Sequence, residues 1–338
     1  MEVVDISVVG GLVAVVTASG DVLCWGDDQT QQCGKSYFLT PARSAAQPCV
    51  RRVELGFPMA VGLRWDDTAA MWGIERHHAA GDGEAPGPEF GASITLDLPG
   101  RVRDVASGLP NVALLEDGSL YVWGDVPISP ANGEWVQFPS PEPLPTPAPV
   151  RQVGEGGRCF STTTSEAFCF GSNSLGILGM DDPDAGSLAP VKIGVADVKK
   201  VSEGPYHACA LRVNGEVWCW GTNYFGAIGL AYPEVKWSPQ PQQVQGIPPA
   251  VEVFAGETGS CALDAQGRAW CWSADPGTFG VEALPPVIWR NDLRFRKIGL
   301  GSVFACGLVE DGRVWCEGFE QGLCAGCFMT VSTAEDEP

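Results

Sequence analysis

Four pairs of cysteines, each pair ten positions apart, restrict the chemistry of this chain more than any other residues: Cys159/Cys169, Cys209/Cys219, Cys261/Cys271 and Cys306/Cys316. Sulfurs at a fixed separation support a disulfide, a thiolate metal site or a reactive thiol. The turn between them selects among these. In "RVNGE", Arg212 to Glu216, a type I turn followed by a left-handed glycine makes a three-residue hairpin loop with a bulge. Arg212 then faces Glu216, and Cys209 faces Cys219 in a non-hydrogen-bonded pair whose Cα atoms approach to about 4.5 Å. A disulfide accepts about 4.4–6.8 Å. Zinc needs four converging ligands, which one pair per hairpin does not supply. The spacing therefore predicts four cross-strand disulfides, with buried free thiols as the alternative. Equivalent positions elsewhere hold Ala14/Cys24, Val61/Met71 and Val112/Val122, all apolar, so the site reads as a buried strand pair. Each short-loop bridge is expected to add about 2–3 kcal/mol.

Of the thirteen cysteines, Cys24, Cys33, Cys49, Cys324 and Cys327 remain. If the chain closes on itself, Cys24 or Cys33 would bridge to Cys324 or Cys327 and latch the ring; a local Cys324–Cys327 bridge is the competing expectation. Adjacent His77 and His78 on a loop are candidate binding residues, without a partner at a known metal-ligand spacing. His207, the third histidine, reads as a structural hydrogen-bonder. "MDDPDAGS", Met180 to Ser187, is half of a calcium loop and lacks the closing bidentate glutamate, so a solvated loop is expected. No Gly-x-Ser-x-Gly elbow, His-Glu-x-x-His pair or phosphate-binding loop occurs. The expectation is no cofactor, no metal and no catalysis.

Elements that would position these residues recur. A Trp-Gly anchor at Trp25, Trp72, Trp123, Phe170, Trp220, Trp272 and Glu317 returns roughly every 50 residues, a period typical of propeller blades. Upstream of it lies apolar-x-x-apolar-x-x-Gly, as in "VRRVELG" at Val50 and "VKKVSEG" at Val198; downstream comes a glycine-rich close such as "GAIG" or "GILG". Alternating runs such as "EVWCWG" read as strands. The order predicts an all-β fold, a seven-bladed β-propeller of four-stranded repeats. Its approximate repeats are 1–48, 49–100, 101–148, 149–196, 197–248, 249–292 and 293–338. "FPSPEPLPTPAP" forces an extended path without ladder donors and reads as a stiff connection between the third and fourth blades.

Gly204…His207-x-Cys-Ala-Leu…Asn214-Gly215…Trp220-Gly221-x-Asn223…Gly226-x-Ile-Gly229 resembles the repeat of the regulator of chromosome condensation family. The resemblance covers essentially the whole chain, strongest in the fourth to seventh copies. It implies a seven-bladed propeller that binds proteins through loops. The cysteine pairs are outside the general pattern and are similar to those of secreted bacterial members, some of which inhibit β-lactamases by loop contacts.

A net charge of −20 repels phosphate backbones, so nucleic acid and anionic membranes are poor partners, and no window of about 20 apolar residues spans a membrane. Thirteen cysteines fit an oxidising compartment. The opening "MEVVDISVVGG" lacks the basic stretch of a signal peptide, so an extracytoplasmic location would follow removal of a signal. The leading expectation is a monomeric, disulfide-stapled ring binding a protein partner. Off-framework aromatics Trp135, Tyr232, Trp237 and Trp289 are its expected contact residues. Alternatives are a guanine-nucleotide exchange factor or chromatin-associated regulator, and a lyase or hydrolase working in the central funnel.

Overall fold

The computed structural model describes residues 2–27, 37–43, 49–56, 59–74, 90–129, 132–273, 284–302, 304–318 and 327–329. His77, His78, Cys33 and Cys324 lie outside the described residues. Twenty-eight strands form seven four-stranded antiparallel sheets, each built from four consecutive strands. The first blade spans Val3–Arg43 and the last Phe295–Met329, so the ring closes without an exchanged strand. The architecture is the all-β, seven-bladed propeller expected from the repeats.

The innermost strands are β1 (Val3–Val9), β5 (Val50–Leu55), β9 (Val102–Ala106), β13 (Val150–Val153), β17 (Val198–Glu203), β21 (Ala250–Ala255) and β25 (Phe295–Leu300). They begin at one face of the ring and end at the other. The next two strands of each blade form the tight hairpin whose tip returns to the first face. In blade five these are β18 (His207–Arg212) and β19 (Val217–Thr222). The Arg212 N–H donates to Glu216 O at 2.9 Å and the Gly215 N–H to Arg212 O at 3.0 Å. Gly215 has φ +87°, and a Cβ there would sit 2.7 Å from the Pro249 Cβ. Glycine is thus required both by its backbone conformation and by the neighbouring chain.

All four expected cysteine pairs face each other across their hairpins: Cys159 with Cys169, Cys209 with Cys219, Cys261 with Cys271 and Cys306 with Cys316. Each pair is a disulfide, so the alternative of buried free thiols falls. The Cα atoms stand 4.0–4.1 Å apart, closer than the roughly 4.5 Å expected of an unbridged strand pair. All eight residues are buried, and their neighbours come from the next blade as well as their own. Cys159 and Cys169 of blade four share a core cluster with Val201 and Trp220 of blade five. Cys261 and Cys271 of blade six share one with Phe295 and Trp315 of blade seven. Each bridge therefore staples a hairpin and also fills the seam between sheets.

The remaining cysteines have different fates. Cys24 is buried and disulfide-bonded, Cys49 is a free, exposed thiol, and the backbone of Cys327 pairs with Cys316. The expected latch from Cys24 or Cys33 to Cys324 or Cys327, and the competing local Cys324–Cys327 bridge, turn on Cys33 and Cys324, which lie outside the described residues.

In blades five and six the repeating landmarks are two ends of one bond. Trp220 of blade five donates its indole N–H to Ile177 O, in the "GILG" close of blade four, at 2.8 Å. Trp272 does the same to Ala227 O, in "GAIG", at 2.9 Å. Both indoles are fully buried, so each satisfies its donor while filling the space between sheets.

The proline run divides between two roles: Pro145, Pro147 and Pro149 join the third blade to β13 as the expected connection between blades three and four, whereas the first half of the run departs from it. Glu134–Leu144 is β12, the outer strand of blade three, paired with β11 (Leu120–Ser129). Pro139, Pro141 and Pro143 lie in this edge strand, where a missing N–H costs no ladder bond and discourages edge-to-edge pairing.

Candidate functional site

Each innermost strand carries a β-bulge at its second residue: the register skips Val4, Arg51, Arg103, Arg151, Lys199, Val251 and Arg296. A bulge places two residues against one and re-aims the side chains. Five of these seven positions are Arg or Lys. They rim the channel at the hairpin face: Arg103 donates to Val150 O at 2.9 Å, Lys199 to Val251 O at 3.0 Å and Arg296 to Val3 O at 3.3 Å.

The third position reads Asp5, Arg52, Asp104, Gln152, Lys200, Glu252 and Lys297 around the ring. These side chains join successive blades. Asp5 accepts from the Val53 N–H at 3.0 Å, Arg52 pairs with Asp104 at 2.5 Å and Gln152 exchanges two bonds of 2.9 Å with the Val201 peptide. Lys200 pairs with Glu252 and Lys297 with Asp5, each at 2.7 Å. Glu54 accepts from Arg52 and Lys297. Burial opposes its charge, but the two cations hold its carboxyl below the usual range. Burial likewise opposes the charge on Lys297, and Asp5 and Glu54 overcome it to raise the ammonium. Asp104 is raised, chiefly by burial, despite Arg52. This charge ring is primarily a set of blade-to-blade contacts.

At the other end six of the seven innermost strands stop at a glycine, and neighbouring backbones come close there. A Cβ on Gly204 would stand 2.0 Å from Gly256 O. Here the channel widens into a cavity of about 410 Å³, within the usual range for a ligand site. Its apolar walls include Leu109, Leu175, Pro205 and the half-exposed Trp135. Its polar walls include Glu54, Glu155, Glu203, Arg158 and Glu257. Glu203 is buried and committed: it accepts from the Arg158 and Cys159 N–H groups, both at 3.0 Å, and pairs with Arg158 Nε at 2.6 Å. Glu155 accepts from the Ser202 hydroxyl at 2.8 Å and lies 3.8 Å from Lys200. Glu257 is raised by burial, partly offset by a bond from Ser302.

Beside the cavity a loop of blade five follows β19. Its organiser is buried Asn223, whose amide donates to Leu230, Ala231 and Val235 carbonyls and whose Oδ1 accepts from the Ile228 N–H at 3.2 Å. Phe225 is held in the left-handed region at φ +51°, an uncommon conformation for a bulky residue. A row of rings results: Tyr206–Tyr224 with centroids 6.2 Å apart, Tyr224–Phe225 at 4.3 Å and Phe225–Tyr232 at 5.8 Å. Tyr224 is 47% exposed. Burial, then Glu257 and Tyr224, raise the Tyr206 phenol.

Of the contact residues expected from sequence, Trp135 is 43% exposed at the cavity, Tyr232 ends the aromatic row and Trp237, 40% exposed, covers Gly176 of blade four. Trp289 is placed differently. It is 3% exposed, stacked on Phe295 at 4.9 Å and bonded to Glu317 at 3.0 Å, so it fills the space between blades six and seven and leaves no surface for a partner. His207 is buried, its Nε2 2.7 Å from the Ser260 hydroxyl, which in turn donates to Ala227 O. Burial lowers its pKa to about 4, so the ring is neutral, as a structural role requires. Sequence reasoning missed Tyr206, Tyr224 and Glu257, because they stand inside framework stretches. It also left unread the charged residues within the apolar-x-x-apolar landmark, whose pattern was visible in the seven aligned copies.

Two stretches, 198–227 and 214–263, match the family model of the regulator of chromosome condensation (RCC1) repeat. The chain is similar to the mitochondrial RCC1 domain-containing protein RUG3 of Arabidopsis thaliana, with 25% identity over 305 residues. That match covers 80% of this chain and 66% of the relative. It is also similar to the human E3 ubiquitin-protein ligase HERC2, 31% identical over 132 residues, which is 37% of this chain and 3% of the ligase. Among solved structures, Prp20p of Saccharomyces cerevisiae superposes with a TM-score of 0.81 at 18% identity, covering 95% of this chain and 88% of Prp20p.

Proposed function

The chain being a seven-bladed ring of regulator of chromosome condensation repeats, we propose that it is a non-catalytic interaction scaffold that binds a protein partner through its long-loop face. The observation that carries this reading is the aromatic row Tyr206–Tyr224–Phe225–Tyr232, next in the chain to cavity-lining Pro205, with Trp135 also lining the cavity. Aromatic side chains supply large contact area at small entropic cost and dominate interface energies. Asn223 and the blade framework hold the loop in place before a partner arrives, which reduces the ordering cost of binding. RCC1-like relatives include protein binders; Prp20p has binding properties to Gsp1p and histones.

Four hairpin disulfides support an oxidising, extracytoplasmic setting for this scaffold. Among the described residues no helix is long and apolar enough to cross a membrane. The test is alanine replacement of Tyr224 and Trp135, singly and together. Partner binding is expected to fall at least tenfold with the unfolding midpoint unchanged, while Trp65→Ala on the opposite face leaves binding alone. Retained binding in the double variant would refute the assignment of this face. Nucleotide release from a small GTPase, catalysed by the protein, would instead establish the exchange-factor reading.

A further inference from the structure

The carboxylate of Glu257 differs from the other acids at the channel mouth. Glu203 is neutralised by Arg158, and Glu54 by Arg52 and Lys297. Glu155 has Lys200 nearby. Glu257 is half-buried, and among the described residues only the Ser302 hydroxyl bonds to it. Desolvation penalises its charge and, among the described residues, no cation is paired with it. It borders the cavity together with Gly204 and Pro205, where the Gly204 and Gly256 backbones come into contact, and the next residue, Tyr206, meets the edge of exposed Tyr224 with its ring. A desolvated carboxylate beside exposed aromatic faces is the constellation that selects a cation, by ion pairing and by attraction to the rings.

The channel rim at the hairpin end is built differently: it carries Arg51, Arg103, Arg151, Lys199 and Arg296, with Arg51 paired to Asp67, whereas Glu257 stands at the cavity end.

We propose that the cavity mouth at Glu257, beside Tyr206 and Tyr224, seats a lysine or arginine side chain of the partner, with the apolar cavity wall taking the residues beside it. The inference rests on the long-loop face being the binding face and adds the chemistry of the partner's anchor.

A random heptapeptide library displayed on phage tests it, selected on the disulfide-intact protein and counter-selected on Tyr224→Ala. Retained peptides should share one basic position. Replacing that residue by norleucine should weaken binding at least tenfold, Glu257→Gln should cause a similar loss, and the two changes together should add little more. Glu257→Gln preserves side-chain size, and an unchanged unfolding midpoint shows that the fold survives. Retained peptides without a common basic position, or wild-type affinity within twofold in Glu257→Gln, would overturn the cation pocket while leaving the face assignment standing. If no peptide distinguishes wild type from Tyr224→Ala, the face assignment fails and the pocket falls with it.

Discussion

The two faces of the ring are built on different rules. On the hairpin face one bond recurs at every junction: a hairpin-tip carbonyl accepts from the first N–H of the next blade's innermost strand. It runs from Val50 to Gly20, Val102 to Asp67, Val150 to Gly118, Val198 to Ser165, Ala250 to Gly215 and Phe295 to Gly267. The Val3 N–H and Gly312 O repeat it at 3.3 Å where the chain's two ends meet. Ring closure therefore uses the same contact as the six covalently continuous junctions. On the long-loop face a turn bond repeats within several blades, as in Gly204 N–H to His207 O and Gly301 N–H to Phe304 O, but among the described residues no bond between blades recurs at every junction. Ser107 reaches Met59 O, Glu203 caps the Arg158 and Cys159 amides, and the Ser302 N–H reaches Gly10 O. The uniform face assembles the ring. The other is released from that duty, and it carries the strained Phe225, the exposed rings and the cavity.

The contrast sharpens at its largest effect in two glycines, both at positive φ. Gly215, on the hairpin face, is crowded by Pro249. Gly215→Ala is expected to cost about 4 kcal/mol, strain plus clash, in denaturant unfolding. Gly133, at the tip joining β11 to β12, has φ +69° and nothing within 4 Å of an added Cβ; Gly133→Ala should cost only about 1 kcal/mol of backbone strain, the smallest effect in the set.

Between these extremes lies the seam of blades five and six. His207 is neutral when folded, with its pKa lowered from 6.5 to about 4 by burial. Its unfolded form binds a proton first as pH falls. The contribution is complete above pH 6.5 and is lost progressively down to about pH 4, a change of about 3 kcal/mol. Unfolding curves across that window should show the loss, and His207→Gln should flatten it. Next, Cys209→Ala with Cys219→Ala should reduce stability by about 2–3 kcal/mol and leave partner affinity within twofold. Conversely, Tyr224→Ala should lower affinity by about 2 kcal/mol with no shift in unfolding midpoint. A stability loss from Tyr224→Ala, or an affinity loss from the cysteine pair, would erase the distinction between assembling and binding regions.

The difference also governs what the sequence discloses. The hairpins are legible because their demands are local: Asn214-Gly215 sets the turn, the turn sets the register, and the register brings Cys209 to Cys219. The same ten-residue count brings Cys159 to Cys169 and Cys261 to Cys271, though neither hairpin has Asn-Gly at its tip. Blade count follows from the spacing of the Trp anchors, two of which, Trp220 and Trp272, bond to a loop one repeat away. Binding residues are less legible, since exposure depends on the whole ring. Trp289 looks like a loop aromatic but is stacked on Phe295, whereas Tyr224 stands in a framework stretch and is exposed. The proline run of β12 reads as a connector until its pairing with β11 is seen. Glu257 carries no local signal, because its significance comes from lacking a cation that every other described mouth glutamate has nearby.

The most direct test of the long-loop face as the binding surface is site-specific photocrosslinking in cells that naturally make the protein. A photoreactive phenylalanine analogue replaces Tyr224 or Trp135 on the long-loop face, and Trp65, which is 59% exposed, or Val213 on the hairpin face. A discrete protein adduct from positions 224 and 135, and none from 65 or 213, is the predicted result. Adducts formed only from 65 or 213 would contradict it and move the binding surface to the hairpin face.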